Sequence, residues 1–373
     1  MSPSACSACM FEIHMLGTSS ARFAQGRAVS GTFVNTPNGS ILIDCGEGMQ
    51  TRLLEQNSAL KDSDLQIRSK MSRVRTILFT HGHLDHCWGL LPMLQTMSLD
   101  GRTTPLTIIA PTSHDAIAWV SQNPGVTPSA ESGVCSTDLA ILFDQWKTLG
   151  SKDEDFGYPI DWVLVPIEGK SPFASPTQPM DGIDLTMIPT EHGMPSCAWQ
   201  VSSVTGIGKF DREKAKNLEL SSEQTRQLAN GIDVKTSSGV LRASDFRGEK
   251  PTSRSFIISG DTTGNVGAFS EIKNPPDLLV HESTFLIAKQ ERAMKYNHST
   301  THDAARHALD CKANVLALTH YSSSITDIKE VELEAKELHE TAIACVDGDI
   351  FSISANGDVV MYRRCEGWKQ YQF

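Results

Sequence analysis

The stretch that decides the fold is His81-Gly82-His83-Leu84-Asp85-His86, which places four metal-ligand side chains within six residues. It follows residues 74–79, a run typical of a buried β-strand, after the single residue Thr80, so the loop after this strand can turn several of these side chains inward. The two histidines of the H-x-H pair can reach one metal ion, while Asp85 and His86 reach another. Imidazole and carboxylate ligands suit zinc, with manganese or iron as alternatives.

Three later strand-like runs also end in ligand-type residues. Residues 183–187 lead to His192, residues 256–258 to Asp261, and residues 315–318 to His320. Because strand ends converge on one rim of a sheet, these side chains can meet although they are far apart in the chain. Each one taken alone could equally be a buried structural residue, but the ordered set predicts the remaining ligands of a metal site.

The strand-like runs alternate with helical patterns, which predicts an α/β fold in which helices cover the sheets, an αββα sandwich. We expect residues 11–201 and 255–365 to form its two parts. Residues 202–254 lie between two ligand-bearing strands, contain five glycines and few apolar residues, and carry a net charge of +3. They are interpreted as an inserted flexible arm that binds substrate, with an ordinary solvated loop as the alternative.

Composition limits the possible classes of protein. The 373 residues include no apolar run of the roughly 18 residues that a membrane span needs, and no secretory signal pattern, which favours a soluble cytoplasmic protein without membrane contact. A net charge of −11 argues against non-specific coating of nucleic acid. Nine scattered cysteines, including the pair Cys6 and Cys9, are interpreted as reduced thiols.

Four further motifs narrow the function. They are Leu16-Gly17-Thr18-Ser19-Ser20, Asp44-Cys45-Gly46-Glu47-Gly48-Met49-Gln50, His281-Glu282-Ser283-Thr284-Phe285 and His298-Ser299-Thr300-Thr301. Together with the H-x-H-x-D-H stretch they resemble the short form of tRNase Z (ribonuclease Z), the tRNA 3′-processing endonuclease of the metallo-β-lactamase superfamily. The resemblance runs in order from about Ile13 to Ile325.

This resemblance implies a metallo-β-lactamase fold and two divalent metal ions per chain, most often zinc. It assigns one ion to His81, His83 and His192, and the other to Asp85, His86 and His320, with Asp261 bridging both. It further implies that Asp85 positions or deprotonates the attacking water, and that Glu282 orients His298 as the general acid. A helix-capping neighbour without chemistry is the alternative for His298, and His281 is expected to be structural or to contact substrate.

The resemblance also implies a partner, precursor tRNA, and a homodimer in which the arm of one subunit holds tRNA at the active site of the other. The residues expected to contact RNA are Arg27, Lys209, Arg212, Lys214, Lys216, Ser283 and Thr284. Three departures weaken this expectation. The family's Pro-x-Lys-x-Arg-Asn loop reads Phe23-Ala24-Gln25-Gly26-Arg27-Ala28, the arm has Ala229 in place of the usual Lys and lacks the usual Gly-Pro pair, and Ser322-Ser323-Ser324 replaces Ser-x-Arg.

Two other functions remain open from the sequence. One is a phosphodiesterase of the same fold that acts on cyclic nucleotides or other small diesters, for which a remote arm would be unnecessary. The other is a non-catalytic RNA-binding homologue, which a lost metal ligand would favour; none is lost. The leading hypothesis is a metal-dependent endoribonuclease that removes the 3′ trailer of precursor tRNA.

Overall fold

The computed structural model describes residues 9–148, 156–204, 208–236, 239–248 and 252–373. These residues divide into two compact units, a larger one before Ser203 and after Ser253, and a smaller one spanning Ser203–Ser253. Cys6 lies outside the described residues, whereas Cys9 is the first residue of the first strand.

The larger unit contains a nine-stranded sheet with the order β18-β17-β16-β1-β2-β3-β4-β5-β6. Its strands are β1 (Cys9–Gly17), β2 (Gly31–Thr36), β3 (Gly39–Ile43), β4 (Val74–Leu78), β5 (Leu106–Thr112), β6 (Ile160–Pro166), β16 (Ile350–Ser354), β17 (Val359–Arg364) and β18 (Trp368–Gln372). The four strands β3 to β6 run parallel, and the remaining pairs are antiparallel.

A second sheet has seven strands in the order β15-β14-β13-β12-β9-β8-β7. They are β7 (Phe173–Ala174), β8 (Ile183–Pro189), β9 (Cys197–Ser203), β12 (Ser255–Ile258), β13 (Leu278–Glu282), β14 (Val315–Thr319) and β15 (Ala342–Ala344). Strands β12 to β15 are parallel, so their carboxyl ends lie at one edge of the sheet.

Helices cover the outer faces of both sheets. They are α1 (Met49–Lys61), α2 (Leu84–Cys87), α3 (Leu90–Leu99), α4 (His114–Gln122), α5 (Leu139–Thr148), α8 (Gln290–Lys295), α9 (Thr301–Asp310) and α10 (Ile328–Lys336). No helix in the described ranges has the length and apolarity to cross a membrane.

Three apolar layers account for the arrangement. The central layer joins the facing sides of the two sheets, for example Phe11 of β1 against Phe256 of β12, whose rings lie 5.2 Å apart. A second layer packs Leu53 of α1 and Leu94 of α3 on the first sheet, and a third packs helices α9 and α10 on the second. Burying an apolar surface on both faces of each sheet is the main force holding the layers together. The predicted αββα sandwich is confirmed.

The smaller unit contains two helices, α6 (Arg212–Asn217) and α7 (Ser222–Ala229), and an antiparallel pair, β10 (Val234–Thr236) with β11 (Gly239–Leu241). Helix α7 begins with a capping box in which the Ser221 hydroxyl and the Gln224 side chain each accept a hydrogen bond from the other residue's backbone N–H. The unit has its own small core, formed by Ala215, Leu228, Val234, Ala243 and Phe246.

Candidate metal centre

Four side chains form the first half of the centre. Residues 81 and 83 come from the loop after β4, and the others follow β8 and β12. His83 Nδ1 lies 3.1 Å from both His81 Nε2 and His192 Nε2. Asp261 Oδ2 lies 3.6 Å from His192 Nε2 and 3.9 Å from His81 Nε2. Three imidazole nitrogens and one carboxylate oxygen thus converge on a common point, which is a donor set that suits a divalent transition metal.

A second group lies beside the first. His86 Nε2 and His320 Nε2 are 3.3 Å apart, and Asp85 Oδ2 lies 3.6 Å and 3.4 Å from them, respectively. His86 and Asp85 belong to the short helix α2, and His320 follows β14 in a left-handed conformation with φ of 60°. Two nitrogens and an oxygen face each other here with little solvent.

Asp261 connects the two groups. Its Oδ2 faces the first group, and its Oδ1 lies 3.4 Å from His86 Nε2 and 3.3 Å from His320 Nε2. This Oδ1 is buried and makes no hydrogen bond of normal geometry within the described part of the chain. A buried carboxylate oxygen without a donor is rare in proteins, and bound cations are one explanation. The donor set and this oxygen therefore fit divalent metal binding, with Asp261 facing both groups.

The electrostatics of the centre are consistent with metal ligation. Burial and the neighbouring His86 hold the pKa of His81 well below its usual range, and burial lowers the pKa of His83 to about 4. Burial raises the pKa of Asp261, but His320 and His86 more than offset this and keep it well below normal. Ligands must bind as neutral imidazole and as carboxylate, and these shifts favour those forms at neutral pH.

Around His86 the balance of charge is different. Burial lowers its pKa, but the carboxylates of Asp261, Asp85 and Asp44 raise it well above its usual range. Three carboxylates therefore surround one buried imidazole, and a proton on that imidazole compensates part of their charge. A divalent cation would compensate the same charge more fully.

Groups behind the ligands orient them. Asp44 Oδ2 lies 2.7 Å from His86 Nδ1, and the carbonyl oxygen of Asn297 lies 2.7 Å from His192 Nδ1. Since both oxygens can only accept, each Nδ1 carries a proton, and in the neutral form of each ring Nε2 can present its lone pair to a metal ion. Sequence reasoning did not assign Asp44 a role, although its position after β3 was a signal. Thr80 holds this carboxylate through its backbone N–H and its hydroxyl, both at 2.8 Å.

Glu282 and His298 form a pair next to the ligands. His298 Nδ1 lies 2.9 Å from Glu282 Oε1 and 3.8 Å from Asp261 Oδ2. Burial lowers the pKa of His298, but the Glu282 carboxylate raises it to about 9. Glu282 also accepts hydrogen bonds from the backbone N–H of Thr262 and from the Thr284 hydroxyl, at 2.9 Å and 2.5 Å. A protonated imidazole is therefore held at the edge of the metal centre.

Three residues expected to contact RNA are instead engaged within the protein. The Ser283 hydroxyl donates to the carbonyl of Thr319 at 3.3 Å, and the Thr284 hydroxyl donates to Glu282 and lies 3.0 Å from His320 Nδ1. Arg27 is 8% exposed and donates to the carbonyl of Ile325 at 2.8 Å. These partners lie within the protein, and direct RNA contact by the three side chains stays a prediction. Thr284 instead links His320 to Glu282.

His281 is buried, and its Nε2 lies 2.9 Å from Nδ1 of His307, which is also buried. It is therefore structural, one of the two roles expected for it. In the smaller unit, the side chains of Lys209, Arg212, Lys214 and Lys216 are exposed. Lys214 donates to the carbonyl of Asp245 at 2.6 Å and lies over the ring of Phe246.

The chain is similar in sequence to known proteins. A protein-family profile described as "Anti-Pycsar protein Apyc1" matches residues 11–148. Ribonuclease Z from Pseudomonas putida (strain F1) is 28% identical over 348 residues, which cover 91% of this chain and 93% of that protein. The resemblance to ribonuclease Z that the motifs indicated is therefore confirmed across most of the chain.

Two solved structures show the fold. The metallo-β-lactamase fold protein YhfI from Bacillus subtilis aligns with a TM-score of 0.56 at 16% identity and covers 92% of this chain and 99% of its own. The short form of human tRNase Z aligns with a TM-score of 0.54 at 18% identity, covering 91% and 98%. The chain has the metallo-β-lactamase fold, which implies divalent metal binding. The relatives and the site together indicate a hydrolytic enzyme of the nuclease or phosphodiesterase class.

Proposed function

We propose that this chain is a two-metal endoribonuclease that removes the 3′ trailer of precursor tRNA. The observation that carries the proposal is the Glu282–His298 pair, at 2.9 Å, beside two groups of metal ligands that share Asp261. Relatives named ribonuclease Z match 91% of the chain, so the similarity includes the smaller unit as well as the centre.

The ligand groups define which residues would hold the metals. The first ion would be held by His81, His83 and His192, the second by Asp85, His86 and His320, and both by Asp261. Zinc suits these imidazole and carboxylate donors best, with manganese or iron as alternatives. When bound, the two ions would supply a nucleophile at neutral pH and would stabilise negative charge on the phosphoryl oxygens.

The protein's own groups move the protons. The Asp85 carboxylate, which the backbone N–H of Ala21 holds at 2.8 Å, orients the attacking water and accepts its proton. The resulting hydroxide attacks phosphorus, and the bond to the leaving 3′-oxygen breaks as His298 donates its proton to that oxygen. Glu282 holds the Nδ1 side of the ring and stabilises the imidazolium before transfer.

The smaller unit is the proposed substrate arm. Its exposed cations, Arg212 and Lys216 on helix α6 and Lys209 before it, can contact phosphates of the tRNA body. We further propose a homodimer in which this arm serves the active site of the other subunit, and a cytoplasmic location.

A second candidate is a phosphodiesterase that acts on a cyclic nucleotide or another small diester. It is favoured by the family profile, which covers the metal-ligand motif within residues 11–148 and carries a description other than ribonuclease Z. Because Arg27 is buried, one cation fewer is available to bind the phosphates of a polyanion such as RNA. A non-catalytic RNA-binding homologue is not favoured, since every ligand is present and the ligands converge.

The test is direct. The purified protein is incubated with a precursor tRNA and with a cyclic nucleotide, each with and without EDTA, and the products are separated. We expect two RNA fragments that meet at the trailer junction, and no cleavage with EDTA. Hydrolysis of the cyclic nucleotide by a protein that leaves precursor tRNA intact would establish the second candidate instead.

A further inference from the structure

Two exposed aromatic side chains lie in segments that touch the metal ligands. Phe23 is 67% exposed and Tyr296 is 50% exposed. The backbone N–H of Ala21, two residues before Phe23, donates to Asp85 of the second ligand group at 2.8 Å. The carbonyl of Asn297, directly after Tyr296, accepts from His192 of the first group at 2.7 Å. Since consecutive Cα atoms are about 3.8 Å apart, neither aromatic residue can lie far from the centre.

The segment that carries Phe23 is held in place by several hydrogen bonds. The backbone N–H of Ser20 donates to the Tyr321 carbonyl at 3.0 Å, and the Ser19 hydroxyl donates to the Arg22 carbonyl at 2.8 Å. Ala21 and Gln25 adopt left-handed conformations, with φ of 58° and 55°, that residues other than glycine rarely adopt. The chain thus maintains an unusual loop that exposes an apolar ring two residues after the backbone N–H that contacts Asp85.

Tyr296 is accompanied by positive charge. The Arg292 guanidinium lies 5.8 Å and the Lys295 ammonium 5.4 Å from the centre of its ring, and both cations are exposed. In a chain with a net charge of −11, two cations around one exposed ring form a local surface suited to an anion with a flat π system. Nucleotides combine these two features, and aromatic rings stack on bases of any sequence.

We propose that Tyr296 and Phe23 stack on the two nucleobases that flank the scissile phosphate, one on each side of the metal centre. This rests on the proposed function. His298, two residues after Tyr296, donates its proton to the leaving 3′-oxygen, which belongs to the nucleotide on the 5′ side of the phosphate. Tyr296 is therefore assigned to that base, and Phe23, whose segment contacts Asp85 through Ala21, to the base on the 3′ side.

A combination of variants and modified substrates tests the assignment. Phe23→Ala and Tyr296→Ala are compared with the ring-retaining variants Phe23→Trp and Tyr296→Phe, and with Tyr371→Ala, an exposed tyrosine on the edge strand β18, as matched control. Each protein is given precursor tRNA with all its bases, and precursor tRNA with an abasic nucleotide on the 5′ or the 3′ side of the cleaved bond. KM and kcat are measured for every combination.

We expect each alanine variant to raise KM for the unmodified RNA by about 5- to 150-fold, the range of one lost base–aromatic contact. The wild-type enzyme should lose a similar factor on each abasic substrate. For Tyr296→Ala, an abasic nucleotide on the 5′ side should cause no further rise in KM. For Phe23→Ala, the same should hold for an abasic nucleotide on the 3′ side. The ring-retaining variants and the control should behave as wild type.

Alanine variants that cleave with wild-type KM would overturn the stacking assignment. The same conclusion would follow if the rise in KM caused by a variant multiplied with the rise caused by the abasic site assigned to it. Either result would leave the proposed endonuclease intact. A wild-type enzyme that does not cleave precursor tRNA at all would overturn the proposed function, and the stacking assignment with it. The two failures are therefore distinguishable.

Discussion

The carboxylate of Glu282 and the imidazole of His298 face each other at 2.9 Å, with side chains that are 1% and 14% exposed. The carboxylate has no other cationic partner at hydrogen-bond distance in the described residues, and its remaining hydrogen bonds come from Thr262 and Thr284. The pair therefore couples a buried negative charge to the one imidazole of the centre that is proposed to donate a proton rather than bind metal.

This coupling predicts the pH dependence of the reaction. Burial lowers the pKa of His298, but Glu282 raises it to about 9, so the acid form is present below that pH and is lost as the pH rises through it. Glu282→Gln removes the stabilising charge and should move the alkaline limb of the kcat profile to lower pH. An unchanged alkaline limb in Glu282→Gln would show that His298 does not provide the titrating proton.

The position of Asp261 between the two groups predicts the effect of its loss on metal content. Because both oxygens of Asp261 face ligand nitrogens, Asp261→Asn should weaken the binding of both metal ions. Elemental analysis should then find substantially less than two equivalents of metal per chain. Asp138→Asn is a matched control, since Asp138 is also buried but binds Thr112 and Ser113. Full occupancy in Asp261→Asn would contradict the bridging role.

Asp44 should act on the metal through His86. Asp44→Asn removes the charge that fixes the protonated Nδ1, and losses of such partners typically reduce metal affinity or activity by about 10- to 100-fold. Competition with a chelator should show that one of the two ions, the one held by His86, dissociates more readily. If the binding of both ions were weakened equally, a general loss of structure would be indicated, which circular dichroism can detect.

The residues of this centre could be predicted where a short sequence motif or the end of a strand-like run marked them. Four ligand-type side chains lie within residues 81–86, and His192, Asp261 and His320 each follow a strand-like run, so the sequence alone could bring them together. Asp44 also follows a strand-like run, but its contact with His86 could not be assigned, because that contact depends on β3 lying beside β4 in the sheet.

The burial of Arg27 could not be predicted for a similar reason. It depends on the segment around Tyr321 and Ile325, which is almost 300 residues away in the chain and closes over the guanidinium. The sequence shows the arginine and the loop, but it does not show which distant segment will cover them.

The strands that flank the smaller unit predict that the unit can be deleted while the larger unit still folds. Ser202 of β9 pairs with Ser255 of β12 in antiparallel register, so a two-residue turn can replace the chain between them. This deletion should abolish cleavage of precursor tRNA and preserve hydrolysis of bis-p-nitrophenyl phosphate, which needs no remote contact. Retained tRNA cleavage would show that the unit is not a substrate arm, and loss of both activities would show that it supports the centre.

The central claim is that His298 protonates the leaving 3′-oxygen, and the most direct measurement replaces that oxygen by sulfur. A thiolate leaves without protonation, so the need for an acid disappears. His298→Ala should cleave normal precursor tRNA about 10²- to 10⁴-fold more slowly than wild type, with its metal content unchanged. On RNA with a 3′-sulfur at the cleaved bond, its rate should approach that of wild type. An equal deficit on both substrates would contradict the assignment of His298 as the general acid.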